Sequence, residues 1–244
     1  MRRILTGTFL SACLVCLAAA QDSADELKLE QLLERYTESY GGLRDGNRLA
    51  SISIEGEQIQ GGVAYSFQLR KKRPDLMHYQ LEKGDTTLTT IHNGRKAWLR
   101  VQRGEAVSVE ELTGSQLEAV KKEARFESPL FRHLDKSENK ITLEGRERVG
   151  GLRAFVLRVE ASGDSSSLYY LHPEHSWVLR IDHLGEAGEL ASQTLYRDYR
   201  EVDGYPFARK VENRIGGDTV TVTRVDSVSV NPGLMSFYFE EPQE

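Results

Sequence analysis

The sequence predicts a mainly β fold with some helix: one large curved antiparallel sheet whose apolar face is covered by a few helices. Three observations predict it. Apolar residues recur at period two through most of the chain, and glycine or asparagine turns separate the runs. Helical periodicity is confined to one stretch near the N-terminus and one in the middle.

Residues 1–20 have the pattern of a secretion signal. Met1-Arg2-Arg3 is basic, Ile4 to Leu17 is mostly apolar, and Ala18-Ala19-Ala20 offers small residues for cleavage before Gln21. The apolar run is short for a membrane span. Leu10-Ser11-Ala12-Cys13 also has the form of a bacterial lipidation site. The very short hydrophobic stretch before Cys13 favours cleavage after Ala20 instead. Residues 21–244 are then expected to be one domain.

The first mature element is an amphipathic helix. Leu29, Leu32, Leu33, Tyr36 and Tyr40 recur at helical spacing, and Gly41-Gly42 ends it. The period then changes to two. Ala50, Ile52 and Ile54 alternate with polar residues, as do Val63, Tyr65, Phe67 and Leu69 after Gly61-Gly62. Met77, Tyr79 and Leu81 continue the pattern, and Asn93-Gly94 marks a tight hairpin. Leu117, Val120 and Ala124, then Phe126, Leu130, Phe131 and Leu134 around Pro129, predict one or two short helices between strands. Strand patterns return in 140–147, 154–160, 167–171, 178–183, 192–200, 207–215, 219–230 and 236–240. Ten or eleven strands joined by short turns imply an antiparallel meander rather than a parallel sheet. Such a sheet curls, and two short helical covers fill its apolar face incompletely, which leaves room for a ligand.

Bulk properties narrow the partners. Loss of Arg2 and Arg3 from 32 basic residues leaves 30 against 37 acidic, a net charge of −7. An acidic chain offers no field for phosphates, so nucleic acid is not an expected partner. Both cysteines, Cys13 and Cys16, lie within the signal, so the mature protein is held by its core and not by disulfides.

Catalytic and metal patterns are missing from the sequence. His172 and His175 flank Pro173 in what reads as a turn, while His78 and His183 fall on the polar phase of their strands and are expected in solvent. No serine occupies a Gly-x-Ser-x-Gly elbow. His78, Glu82 and His92 are the nearest candidates for a hydrolase, and nothing in the sequence brings them together. The expectation is no catalytic residue, no metal and no cofactor. Aromatic residues suggest a binding cavity instead: Tyr65, Phe67, Tyr79, Trp98, Phe126 and Phe131, with Met77. Lys71-Lys72-Arg73 before Pro74 is a basic cluster in an acidic chain. It suits a charged strand end, or an arginine at the cavity rim that holds a helical lid through backbone carbonyls or grips a headgroup.

Two longer stretches resemble the outer-membrane lipoprotein-sorting superfamily of Gram-negative bacteria. They are Gly61-Gly62-Val63-Ala64-Tyr65-Ser66-Phe67 with Arg73-Pro74-Asp75-Leu76-Met77-His78-Tyr79, and Thr90-Ile91-His92-Asn93-Gly94-Arg95-Lys96-Ala97-Trp98. Tyr169-Tyr170-Leu171 and the run from Tyr196 to Pro206 are similar to motifs of its divergent members. The resemblance implies an unclosed barrel with a helical lid, tied down by Arg73, with Tyr79 and Trp98 on the half-barrel. It implies a monomeric periplasmic carrier that takes lipid or acylated protein cargo from an inner-membrane transporter to an outer-membrane acceptor. The second reading is a periplasmic sensor that uses the same fold to bind a protein partner.

Overall fold

The computed structural model describes residues 29–40, 49–134, 139–161 and 166–243. The signal sequence, Gly41-Gly42 and Asp164-Ser165 lie outside the described residues. Thirteen strands form a single antiparallel sheet: β1 (Ser51–Gln60), β2 (Val63–Lys72), β3 (Leu76–Lys83), β4 (Thr86–Asn93), β5 (Ala97–Arg103), β6 (Ala106–Leu112), β7 (Asn139–Val149), β8 (Leu152–Ala161), β9 (Ser166–Leu171), β10 (Val178–Leu184), β11 (Leu190–Val202), β12 (Tyr205–Ile215) and β13 (Asp218–Val230). Tight turns make the meander possible. At Gly61-Gly62 both residues take positive φ, 56° and 77°, the backbone of a two-residue hairpin that matches strand twist. Around Asn93-Gly94 the side chain of Asn93 accepts from the backbone N–H of Arg95 and Lys96, which fixes the turn before β5.

The strand order explains how the helices come to lie over the sheet. The chain steps outward from β1 to β6 at one edge, then returns from β7 at the other edge to β13, which pairs with β1. The sheet is not closed, since β6 and β7 are its two edges. Between them in sequence come α2 (Gly114–Ala124) and a 3-10 helix, Pro129–Leu134, so this helical segment has to pass from one edge to the other. The N-terminal helix α1, seen over residues 29–39, is the second cover. Its stripe of Leu32, Leu33 and Tyr36 is buried against Leu130, Leu157, Tyr169 and Leu171, with Leu29, Tyr40 and Phe131 packed on the margin. Each such leucine removed from water stabilises the fold by about 1.5–3 kcal/mol.

Cross-strand register assigns the two faces, because directly opposed residues share a face. Phe67 opposes Leu81, Leu69 opposes Tyr79 and Lys71 opposes Met77; Met77 in turn opposes His92, which opposes Ala97. These residues form the inner face, toward the helices. Arg70, His78, Ile91 and Trp98 are opposed in the same way and form the outer face. The outer face carries its own cover. The expected strand at 236–240 is instead a 3-10 helix, Ser236–Phe239. Pro232 and Gly233 stop β13 from continuing, and Leu234 and Phe239 are both buried five residues apart, a spacing that alternation does not produce. Tyr238 lies on Arg70 at 4.2 Å and edge-on to His78 at 5.7 Å.

Two histidines depart from the expected exposure, one on each face. His78 is half-buried beneath Tyr238, and desolvation together with the Arg70 charge holds its imidazole down at about 4. His183 faces inward, with Nδ1 3.3 Å from Ser167 Oγ, and desolvation ahead of the Lys122 charge also lowers it. His92 is on the opposite face of the sheet from His78 and Glu82, so the three hydrolase candidates do not converge. Among the described residues, no three His, Cys, Asp or Glu side chains come together as a metal site would require.

Candidate functional site

The inner face is not filled. A cavity of about 720 Å³ runs along it, lined by residues of β1, β2, β3, β10, β11, β12, β13 and α2. A second, of about 390 Å³, lies under the helical segment and α1, between Phe126, Phe131, Tyr36 and Phe207. Tyr40, Tyr196, Tyr199, Ile181 and Phe207 line both, so the two are continuous in their walls. The larger volume is that of a small-molecule site, for which about 300–1,000 Å³ is usual.

Tyrosines dominate the region where the two cavities meet. Burial raises Tyr36, Tyr40, Tyr79, Tyr196 and Tyr199 well above the ordinary phenol range, and it pushes Tyr169 up to about 12. All therefore stay neutral, presenting ring faces and a hydroxyl without charge. Two of the hydroxyls are held by the sheet: Tyr199 Oη donates to the Val178 carbonyl at 2.6 Å, and Tyr79 Oη to Gln58 Oε1 at 2.5 Å. Asp198, with φ of 55°, interrupts the alternation of β11, so Tyr196 and Tyr199 both face inward despite their odd spacing.

One end of the lid is clasped by alternate residues of the β2–β3 connection. Lys71 Nζ donates to the carbonyls of Glu123 and Arg125, each at 2.7 Å, where α2 ends. Arg73 pairs with Glu127, lies 4.8 Å from the Phe126 ring and donates from Nε to the Leu49 carbonyl at 2.7 Å. Asp75 accepts the Phe126 backbone N–H at 3.0 Å. Strand alternation turns Lys71 toward the lid and Lys72 the other way, where it donates to the Leu234 carbonyl at 3.0 Å, while Arg73 and Asp75 reach the lid from the turn between β2 and β3. Desolvation at the clasp lowers the Lys71 ammonium. Orphan carbonyls at a helix C-terminus are the natural partners of a cation. The bonds to lid carbonyls expected of Arg73 are thus made by Lys71, and Arg73 holds the lid through a carboxylate and a ring.

Of the eight residues singled out in the sequence, Phe67, Met77 and Tyr79 line the larger cavity, while Arg73, Phe126 and Phe131 line the smaller. Tyr65 has the inward phase but sits near the far end of β2 under Lys83, outside both linings. Trp98 is 98% buried on the outer face, away from both cavities. The sequence reading named Lys71 only within the basic cluster, Tyr40 only in the helical stripe, and Tyr196 and Tyr199 only as parts of a family-like motif; Phe207 it did not single out.

The fold recurs in solved structures. A DUF1329 family protein from Desulfovibrio piger superposes with a TM-score of 0.62 at 15% identity, over 87% of this chain and 96% of its own. An outer membrane lipoprotein-sorting protein domain from Vibrio parahaemolyticus gives 0.55 at 14% identity, over 86% and 95%. A LolA superfamily protein from Nitrosomonas europaea gives 0.54 at 13% identity, over 87% and 97%. The chain has a LolA-like fold. Neither a protein-family model nor a curated protein matches the sequence. The LolA-like fold places the groove and the lid; what fills the groove depends on this chain's own side chains.

Proposed function

We propose that this protein is a periplasmic carrier that binds lipid or acylated protein cargo in the groove and moves it from an inner-membrane transporter to an outer-membrane acceptor. The observation that carries this reading is the groove of about 720 Å³ beneath a clasped lid, with Phe67, Leu69, Met77, Phe207 and Val211 in its wall. Shielding an acyl chain from water is worth roughly 0.8 kcal/mol per methylene, so a chain of about sixteen carbons represents on the order of 12 kcal/mol before entropic costs. A groove that opens and closes by lid movement offers that area reversibly, with no covalent step. The likeness to a lipoprotein-sorting domain supports the cargo class, and the signal-like residues 1–20 support export, with 21–244 as the working domain.

Native mass spectrometry of the protein purified from bacterial periplasm, with extraction of bound material, tests this directly. Co-purifying phospholipid, fatty acid or acylated peptide is the expected result. A Val211→Trp variant, which narrows the groove, should retain its fold and lose at least tenfold in affinity for a palmitoyl probe. An empty protein that stays empty after mixing with lipid micelles would sink the carrier. It would turn attention to the sensor reading and to the exposed Met235 and Phe237 as a protein-binding patch.

A further inference from the structure

The groove is not uniformly apolar along its length. Its clasped end, near Arg73, has Phe126, Phe131 and Phe207 in its wall, with Arg73, Arg125, Lys122 and Glu127 at its rim. At the opposite end, register places four polar side chains side by side on adjacent strands. Gln60 opposes Thr221, Thr221 opposes Asn213, and Asn213 opposes Thr194. A step further in, Gln58 opposes Thr223. All six line the larger cavity. Gln60 is exposed at the rim and the other five are half-buried; an inner face that served only to hold hydrocarbon would have no use for those five, each costly to desolvate unless partnered.

Their internal hydrogen bonds decide what they present. Thr194 Oγ1 donates to Asn213 Oδ1 at 3.0 Å, which occupies the amide oxygen and leaves the NH₂ for a ligand. Gln58 Oε1 likewise accepts from Tyr79 Oη at 2.5 Å and from Thr223 Oγ1 at 3.5 Å. Both amides are thus biased toward donation. None of the six is charged. The ionic side chains lining this cavity, Lys122 and Glu123, come from α2 with opposite signs and give the row no net field.

We propose that the polar row recognises the uncharged, hydrogen-bond-accepting head of a single-chain amphiphile, such as an ester or amide, with the apolar chain lying toward the clasped lid. This rests on the carrier reading and narrows its cargo. Neutral donors match neutral acceptor oxygens, whereas an anionic head set among them would lose hydration without gaining a counter-charge.

The test uses two ligands of equal chain length, 1-monopalmitoylglycerol and palmitate, each displacing a fluorescent naphthylamine probe from the mature protein at pH 7.5. The glycerol ester should bind at least tenfold more tightly. Thr194→Val with Asn213→Leu should remove that preference and leave palmitate affinity within twofold. Thr221→Val alone, nearly isosteric and safe for the fold, should weaken the ester by about fivefold, the loss of one hydrogen bond. Equal or tighter binding of palmitate, or a preference that survives both variants, overturns the proposal while leaving the carrier intact. Failure of both ligands to displace the probe overturns the carrier reading and this inference with it.

Discussion

The ammonium of Lys71 lies 2.7 Å from the carbonyl oxygen of Glu123, at the point where α2 ends, and the same group reaches the Arg125 carbonyl at 2.7 Å. One side chain at the end of β2 therefore terminates a helix 52 residues later in the chain. Lys71→Met should cost about 1–3 kcal/mol, the usual worth of charge-assisted bonds. It should also raise amide exchange across 123–131 at least tenfold. Unchanged exchange there would mean that Arg73 and Asp75 hold the lid without it.

Gly56 opposes Phe67 at a register shift in β1. A Cβ at this position would stand 2.0 Å from the Arg224 carbonyl oxygen and 3.0 Å from the Phe67 ring. The nearer obstacle is backbone, which cannot swing aside. Gly56→Ala should lower stability by about 3 kcal/mol, seen as a fall in the denaturant midpoint at constant slope. A midpoint within error of the wild type would show that β13 shifts freely at Arg224.

The chain contains two tryptophans, and they report on different faces. Trp177 lies 5.0 Å from Tyr199, which lines both cavities, whereas Trp98 is buried on the outer face. Ligand binding should change the emission of Trp98→Phe protein, in which only Trp177 remains, and leave Trp177→Phe protein unaltered. The reverse result would place Trp98 in contact with cargo after all. Trp98→Ala should destabilise by about 3–5 kcal/mol through lost packing, with ligand affinity intact.

His78 gives stability a pH dependence of definite sign. Its folded value of about 4 lies below the ordinary 6.5, so between those limits the unfolded chain binds the proton and the folded one does not. Stability is full above pH 6.5 and falls as pH drops toward 4. His172 and His183, also lowered by desolvation, add in the same direction. His78→Phe, which keeps a ring under Tyr238, should flatten part of the profile in urea titrations at stepped pH. An equally steep fall in that variant would assign the effect to the other two histidines.

Much of the architecture was legible because alternation and turn chemistry are local. The stripe from Leu29 to Tyr40 buries the face it predicted, and Gly61-Gly62 and Asn93-Gly94 turn where expected. The segment 236–240 misled because an apolar run of five residues is ambiguous in period, and only its packing over β3 and β4 made it a helix. The strand count rose from ten or eleven to thirteen because short polar strands such as β6 earn their place by pairing and not by burial.

The site divides along the same line. Sequence alone determined that Phe67 and Leu69 share one face of β2, and Met77 and Tyr79 one face of β3, since alternation needs no partner to be read. It also determined that a basic cluster stands at their junction. Tertiary structure decided which cation ends α2, that Trp98 faces away from the groove, and that Tyr196 and Tyr199 both face into it. Those outcomes depend on contacts between residues tens of positions apart and on one left-handed residue, Asp198, which resets the phase of its strand. A periodic pattern says which residues share a face, but only the pairing of thirteen strands under the helices says which face is inside.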